Sequence, residues 1–251
     1  MNKFKGMTVL VTGAGKNIGR DIALSFAKEG ANVIVCDYNE QNALNTTADI
    51  REMGVGAMEM VCDVRDSKKV SACVEEALQK FGKIDILVNN AGGSAGLLNK
   101  LTEFVDAEEE TLDFVIDVNL KGTMNCTQAV LKSMIVNQSG KIINIASIAG
   151  ICGMKNRVDY SAAKGGIIAM TKALAMEIGK YNICVNCISP GAIERDGYKM
   201  VNMTYMGDNG RGGLPYHITD TVFFLALNDY ITGENIVVDG GRTLGPMTQE
   251  R

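Results

Sequence analysis

Thr8-Val-Leu-Val-Thr-Gly-Ala-Gly-Lys-Asn-Ile-Gly19 is the stretch whose reading decides the fold. Residues 8–11 are a short apolar run of strand length. A glycine-rich turn follows. Residues 18–28 then carry apolar side chains at 18, 22, 23, 26 and 27, the spacing of one helix face, and Gly30 ends the run. Strand, glycine turn and helix in this order make a phosphate cradle. The glycines Gly13, Gly15 and Gly19 let the backbone approach a pyrophosphate, and the helix N-terminus offers free amides and a positive dipole end. Residues 31–36 form a second buried strand, closed by Asp37. A carboxylate roughly 20 residues past the turn accepts hydrogen bonds from a ribose diol and repels a 2′-phosphate. This favours NAD as the cofactor. Lys16, a cation inside the turn, argues for NADP and keeps it open.

Outward from this unit the pattern repeats. Helical spacing covers about 41–53 and 67–81, and apolar strands cover 57–62 and 84–88. Residues 107–137 are helical in period throughout, and 141–146 is the next strand. A helix opened by Asp159 or Tyr160 runs to about 180; a strand over 183–188, a helix over 216–227 and a strand over 235–238 complete the chain. Strands alternating with helices predict a parallel, doubly wound α/β sheet in one domain over 1–251, with its chemistry at the strands' C-terminal ends.

The composition fits this class. The chain has 251 residues, 46% hydrophobic, enough for a substantial core. A net charge of -4 with no basic run argues against a nucleic-acid partner. No apolar run approaches the roughly 18 residues of a membrane span. No signal-peptide pattern opens the chain, so a cytoplasmic location is expected. The seven dispersed Cys read as free thiols, and Cys184 and Cys187, three apart in a strand, point to opposite faces. The single His217 excludes multi-His metal sites and reads as a helix cap or surface residue; no metal is expected.

Tyr160 and Lys164 lie four apart, on one face of a helix. A phenol with a reference pKa of about 10 keeps its proton at neutral pH. A neighbouring ammonium is expected to pull that value down and make the phenol a working acid and base. Ser147 follows the strand over 141–146, where its hydroxyl can hold a substrate oxygen. The set suits proton movement at a carbonyl or alcohol.

With these residues the sequence resembles the short-chain dehydrogenase/reductase family over nearly its whole length. The matching motifs are Thr12-Gly13…Ile18-Gly19, Asp63-Val64, Asn89-Asn-Ala-Gly92, Asp117-Val-Asn-Leu, Ser147, Tyr160-x-x-x-Lys164, Pro190-Gly191 and Ile231-Thr-Gly…Val238-Asp-Gly-Gly241. The resemblance implies a Rossmann-type sheet of seven strands and a catalytic tetrad of Asn119, Ser147, Tyr160 and Lys164. By the same resemblance, Asp63 and Val64 flank the adenine, Asn90 and Gly92 lie on the cofactor, and Ile193 is near the nicotinamide. Lys164 bonds the nicotinamide ribose, and Asn119 holds a water that links Lys164 to solvent. Two positions depart from the family. Asn17 replaces a glycine of the turn, and Asn tolerates a left-handed backbone. Arg195 stands where a threonine is common, and reads as a solvated loop residue or as a partner for an acidic substrate tail.

An NAD-dependent oxidoreductase acting on a secondary alcohol or ketone is therefore expected. An NADPH-dependent 3-oxoacyl reductase and a sugar or polyol dehydrogenase are alternatives. The intact tetrad argues against a non-catalytic dinucleotide-binding regulator. The stretch after Ile193 holds Tyr198, Met200, Val201, Met203, Tyr205 and Met206, with glycines at 197, 207, 210, 212 and 213. With Ile151 and Met154 it predicts an adaptable apolar wall, suited to a bulky steroid or bile-acid-like substrate. The Tyr160 helix is apolar almost all round, which predicts a second buried surface and a homodimer or homotetramer.

Overall fold

The computed structural model describes residues 2–195, 199, 203–206 and 210–245. Seven strands form one sheet: β1 (Thr8–Thr12), β2 (Asn32–Asp37), β3 (Ala57–Val61), β4 (Ile86–Asn89), β5 (Gly140–Ile145), β6 (Ile183–Pro190) and β7 (Asn235–Val238). All pairings are parallel, in the order β3-β2-β1-β4-β5-β6-β7. The helices are α1 (Asn17–Lys28), α2 (Glu40–Glu52), α3 (Ser67–Phe81), α4 (Glu109–Ile116), α5 (Gly122–Asn137), α6 (Ala149–Cys152), α7 (Val158–Ile178) and α8 (Pro215–Leu227).

Successive strand residues face opposite sides of a sheet. Val9 and Val11 therefore join α1 and α8 in one core, which includes Ile22, Phe26 and Val222. Leu10 points the other way, into a core with Val74, Val130 and Ile178 of α3, α5 and α7. Burial on both faces explains why these strands read as continuous apolar runs. The strand order reverses between β1 and β4, so the loops leaving these two strands part there and open a crevice.

Three local differences from the sequence reading have physical causes. The fourth strand begins at Ile86: Asp85 before it still bonds Thr8 O (2.8 Å) and Lys141 N (2.9 Å) through its backbone, but its side chain takes the Thr8 N donor (2.8 Å). The long helical segment is broken in two by a π-helical turn, Asp117–Lys121, which has no periodic signature. Helix α7 starts at Val158, slightly earlier than expected, with Arg157 as its N-cap residue.

His217 caps α8, its Nδ1 accepting from Leu214 N at 2.8 Å. All seven cysteines are free. Cys184 lies against Lys141 and Cys187 against Asn235, so they have different surroundings. Tyr198, Met200 and Val201, with the glycines at 197 and 207, lie outside the described residues.

Candidate active site

The glycine turn is built for close approach. Asn17 adopts the left-handed conformation its type tolerates, with φ 49°. A Cβ on Gly19 would lie 2.1 Å from Gly13 O and 2.5 Å from Asn90 Nδ2, so only glycine fits. Asn90 ties β4 to this turn: its Nδ2 donates to Thr12 O (3.0 Å) and Gly13 O (3.1 Å). Thr12 Oγ1 accepts from Asn90 N and from Ala91 N, both at 3.0 Å. Ile18 and Gly19 lie in the first turn of α1, and Lys16 is exposed at its N-cap.

Asp37 ends β2 with its carboxylate turned into the cradle. It accepts from Gly15 N and from Asn39 N, each at 2.9 Å. Asp63 is paired with Arg65 at 2.6 Å, which holds its carboxyl below the usual range. Arg65 in turn lies over the Phe114 ring, 4.9 Å from its centroid. Val64 is buried and packs against Gly122 at the start of α5.

The second cluster lies where β4 and β5 end. Ser147, just past β5, is buried, and its Oγ accepts from Ala149 N at 3.1 Å. Tyr160, in the first turn of α7, lies near Ser147, whose hydroxyl favours the phenolate. One turn on, the buried Lys164 donates from Nζ to Ile145 O (2.7 Å), 5.6 Å from the Tyr160 ring centroid. Asn119 is buried in the π-helical turn. Its Nδ2 donates to Gly93 O (2.6 Å) and Val115 O (2.8 Å), and its Oδ1 accepts from Gly93 N (3.1 Å). A Cβ on Gly92 would meet Asn119 Oδ1 at 2.4 Å and Lys164 Nζ at 3.4 Å. The β4 exit, the π-helical turn and α7 thus converge on one point. Ile193 lies across from Gly213 in an isolated parallel bridge, at the β6 exit.

Two electrostatic expectations need correcting. Burial pulls the Lys164 ammonium down to about 7, so it is a weak source of positive charge for its neighbour. Burial also pushes the Tyr160 phenol up, where a lowered value was expected. What offsets this is the nearby Ser147 hydroxyl and the charges of Arg195 and Arg157, not Lys164. Asn119 also anchors a loop: both N–H groups of its side-chain amide donate to protein carbonyls.

The methionine-rich stretch is placed differently as well. Met203 accepts from Arg242 Nη1 through its carbonyl (2.9 Å) and its sulfur (2.7 Å). Tyr205 N donates to Gly240 O (2.9 Å). These residues pack on the turn after β7. Met206 lines a cavity of about 290 Å³ with Ile193, Arg211, His217 and Asp220; Ser147 and Tyr160 do not line it. Ile151 is exposed, and Met154 N donates to Ser161 Oγ (3.0 Å).

Sequence reasoning passed over Thr12, Gly93 and Arg157. It also missed a buried chain of polar contacts beneath the site. Asn89 Nδ2 donates to Thr127 Oγ1 (3.0 Å) and Asn144 Oδ1 (2.9 Å), and Asn144 Nδ2 donates to Thr171 Oγ1 (3.0 Å). An amide inside each of two apolar strands was the one available signal.

A profile described as short chain dehydrogenase matches residues 7–205. The chain belongs to the short-chain dehydrogenase family. It is 38% identical to the (2S)-[(R)-hydroxy(phenyl)methyl]succinyl-CoA dehydrogenase subunit BbsD of Thauera aromatica, over 94% of this chain and 96% of that one. It is 37% identical to the 3-oxoacyl-[acyl-carrier-protein] reductase FabG of Thermotoga maritima, over 95% and 98% of the two chains. The crystal structure of a Brucella melitensis 3-oxoacyl-[acyl-carrier protein] reductase with bound NAD superposes with a TM-score of 0.87 at 33% identity, covering 96% of this chain and 92% of that one. This short-chain dehydrogenase is thus an oxidoreductase of CH–OH groups that uses a nicotinamide cofactor. Among the described residues, no helix is long and apolar enough to cross a membrane.

Proposed function

We propose that this short-chain dehydrogenase interconverts a secondary alcohol and a ketone with NAD(H), as a cytoplasmic homodimer or homotetramer. The observation that carries this reading is the convergence of the β4 exit, the π-helical turn and α7: Gly92 lies against Asn119 and Lys164, Lys164 Nζ reaches Ile145 O two residues before Ser147, and Tyr160 stands one helical turn from Lys164.

The crevice fits a dinucleotide. Gly13, Asn17, Ile18 and Gly19 give a turn with no room for a Cβ at Gly19, at the positive end of the α1 dipole. Asp37 would face the adenosine ribose, with Asp63, Val64, Asn90 and Gly92 along the crevice and Ile193 at its nicotinamide end. The carboxylate of Asp37 is already bonded to the glycine turn through Gly15 N, whereas Lys16 at the N-cap is exposed, and this favours NAD over NADP. When bound, the nicotinamide supplies or accepts the hydride.

The chain's own residues handle the proton. Ser147 holds the substrate oxygen, and Tyr160 gives or takes the proton at that oxygen. Lys164, with a pKa of about 7, takes up and releases a proton in the working range behind Tyr160. Asn119 fixes the loop at Gly92 and Gly93 against Lys164.

A 3-oxoacyl thioester is the second reading for the substrate. It rests on the resemblance to two enzymes named for acyl substrates. A steroid-like substrate has less support, because Met203 is engaged with Arg242 and Met206 lines a cavity that Tyr160 does not. A panel of cyclic and open-chain ketones, 3-oxoacyl thioesters, a bile acid and a sugar alcohol, each with NAD(H) and NADP(H), tests the reading. Turnover with NADH on at least one ketone is expected; none on any would contradict it.

A further inference from the structure

A single exposed apolar side chain is ordinary, but a run of them is not. Between β4 and α4, Leu97, Leu98, Leu101, Phe104 and Val105 are all exposed, Leu97 by 61% and Phe104 by 58%. Distances tie this run to the reacting groups. Leu97 lies on Gly93: a Cβ there would come within 2.0 Å of Leu97 Cδ1. Gly93 is held through both its N and its O by Asn119, and a Cβ on Gly92 beside it would meet Lys164 Nζ at 3.4 Å. At the other end of the run, Phe104 lines a small cavity with Ala95, Val158 and Asp159. Val158 is exposed as well. Asp159 Oδ1 accepts from Tyr160 N at 2.7 Å. The run therefore reaches from Gly93, on the Lys164 side, to the first turn of α7, which carries Tyr160. The charges around it narrow what it can receive. Residues 94–110 hold Glu103, Asp106, Glu108, Glu109 and Glu110 against one cation, Lys100, which pairs with Glu108. An acidic border repels a phosphate, a carboxylate or an anionic lipid surface. Leu, Phe and Val side chains offer the hydroxyls of a polyol no partner.

We infer that Leu97, Phe104 and Val158 form a wall that receives an uncharged apolar arm on the substrate's reacting carbon. This rests on the reading of Tyr160 as the proton donor. The favoured substrates are then ketones and secondary alcohols with an arm of several apolar carbons; polyols and oxo acids are disfavoured. Met206 takes no part, since it lines the cavity at the β6 exit that Tyr160 does not.

The test measures kcat/KM with NADH on 2-butanone, 2-octanone and 7-oxooctanoate, the last having a carboxylate in place of the terminal methyl of 2-octanone. 2-Octanone should exceed 2-butanone by roughly tenfold or more, less than four fully buried methylenes would give. It should also exceed 7-oxooctanoate. The ratio of 2-octanone to 2-butanone should fall toward one in Leu97→Ser/Phe104→Ser and persist in Leu97→Met and in Met206→Ser. Equal values for the two ketones would overturn the wall, as would a preference for the carboxylate or a ratio that survives the double variant. Light scattering of the double variant should give the wild-type mass; a lowered mass would make the run a subunit contact and overturn the wall as well. Calorimetry with Tyr160→Phe and NADH separates the two readings. 2-Octanone binding that exceeds 2-butanone binding, and is lost when Leu97→Ser/Phe104→Ser is added, supports the wall even if no ketone turns over; equal binding sinks it.

Discussion

Lys164 is a cation in a fully buried position, and its proton is held at a cost. Its pKa is about 7 in the folded chain, against about 10.4 for a free lysine. Between these values the unfolded chain binds more protons than the folded one, so this group makes stability rise with pH through that window. The penalty is complete below pH 7 and fades as the pH approaches 10. Lys164→Met should therefore raise the Tm at pH 6 by roughly 4 °C or more, even after Ile145 O loses its donor. The gain should shrink at pH 9.5, with little activity left at either pH. Thermal scans of both proteins at the two pH values check this; a variant less stable than the wild type at pH 6 would contradict it. Asp37 makes a different residue-scale prediction. Asp37→Ala removes the acceptor for Gly15 N and Asn39 N and the repulsion of a 2′-phosphate. The NAD over NADP preference, read as a kcat/KM ratio, should narrow by roughly tenfold or more. A wild-type preference for NADPH would show that Lys16 outweighs Asp37.

At the scale of elements, the π-helical turn between α4 and α5 is the joint that fixes the site. Asn119 uses two of its side-chain hydrogen bonds to bind this turn to Gly93 at the β4 exit and a third to hold Val115 of α4. Asn119→Ala would leave Gly93 and Val115 groups unpaired, at a cost of roughly 2–4 kcal/mol. A Tm lowered by roughly 5–10 °C, together with a drop in kcat, is expected. An unchanged Tm would show that the turn holds without its amide. This joint also marks where the sequence stopped being legible. Strands flanked by helices are written in apolar periodicity, and the glycine turn and the Tyr160-to-Lys164 spacing are local, so these were readable. A π-helical turn differs from an α-helix by one residue of hydrogen-bond register and leaves no period. The direction of the Tyr160 shift depends on burial and on two arginines brought in from different elements, which no local pattern records. The neighbours of the methionine-rich stretch were illegible for a similar reason: Arg242, which bonds Met203, lies far along the chain.

For the whole molecule, helix α7 is covered by the sheet on one side only. Met176 and the alanines at 162, 169 and 173 remain exposed, and Val136 of α5 is 82% exposed. At the far edge, Phe224 and Leu227 of α8 and Val237 of β7 form another exposed apolar set. Two such faces on one chain suit a dimer or a tetramer. Light scattering at micromolar concentration should give two or four times the 26.9 kDa of one chain. A stable monomer would contradict this. The chemistry at the crevice depends on one proton donor held in place by the rest of the fold. The most direct measurement is turnover of Tyr160→Phe on the best ketone, alongside NADH binding followed by its fluorescence. Turnover should fall by roughly 10²–10⁴-fold, the contribution of a lost acid–base group, while NADH binding is retained. Near-normal turnover with NADH bound would contradict a proton-transfer role for Tyr160.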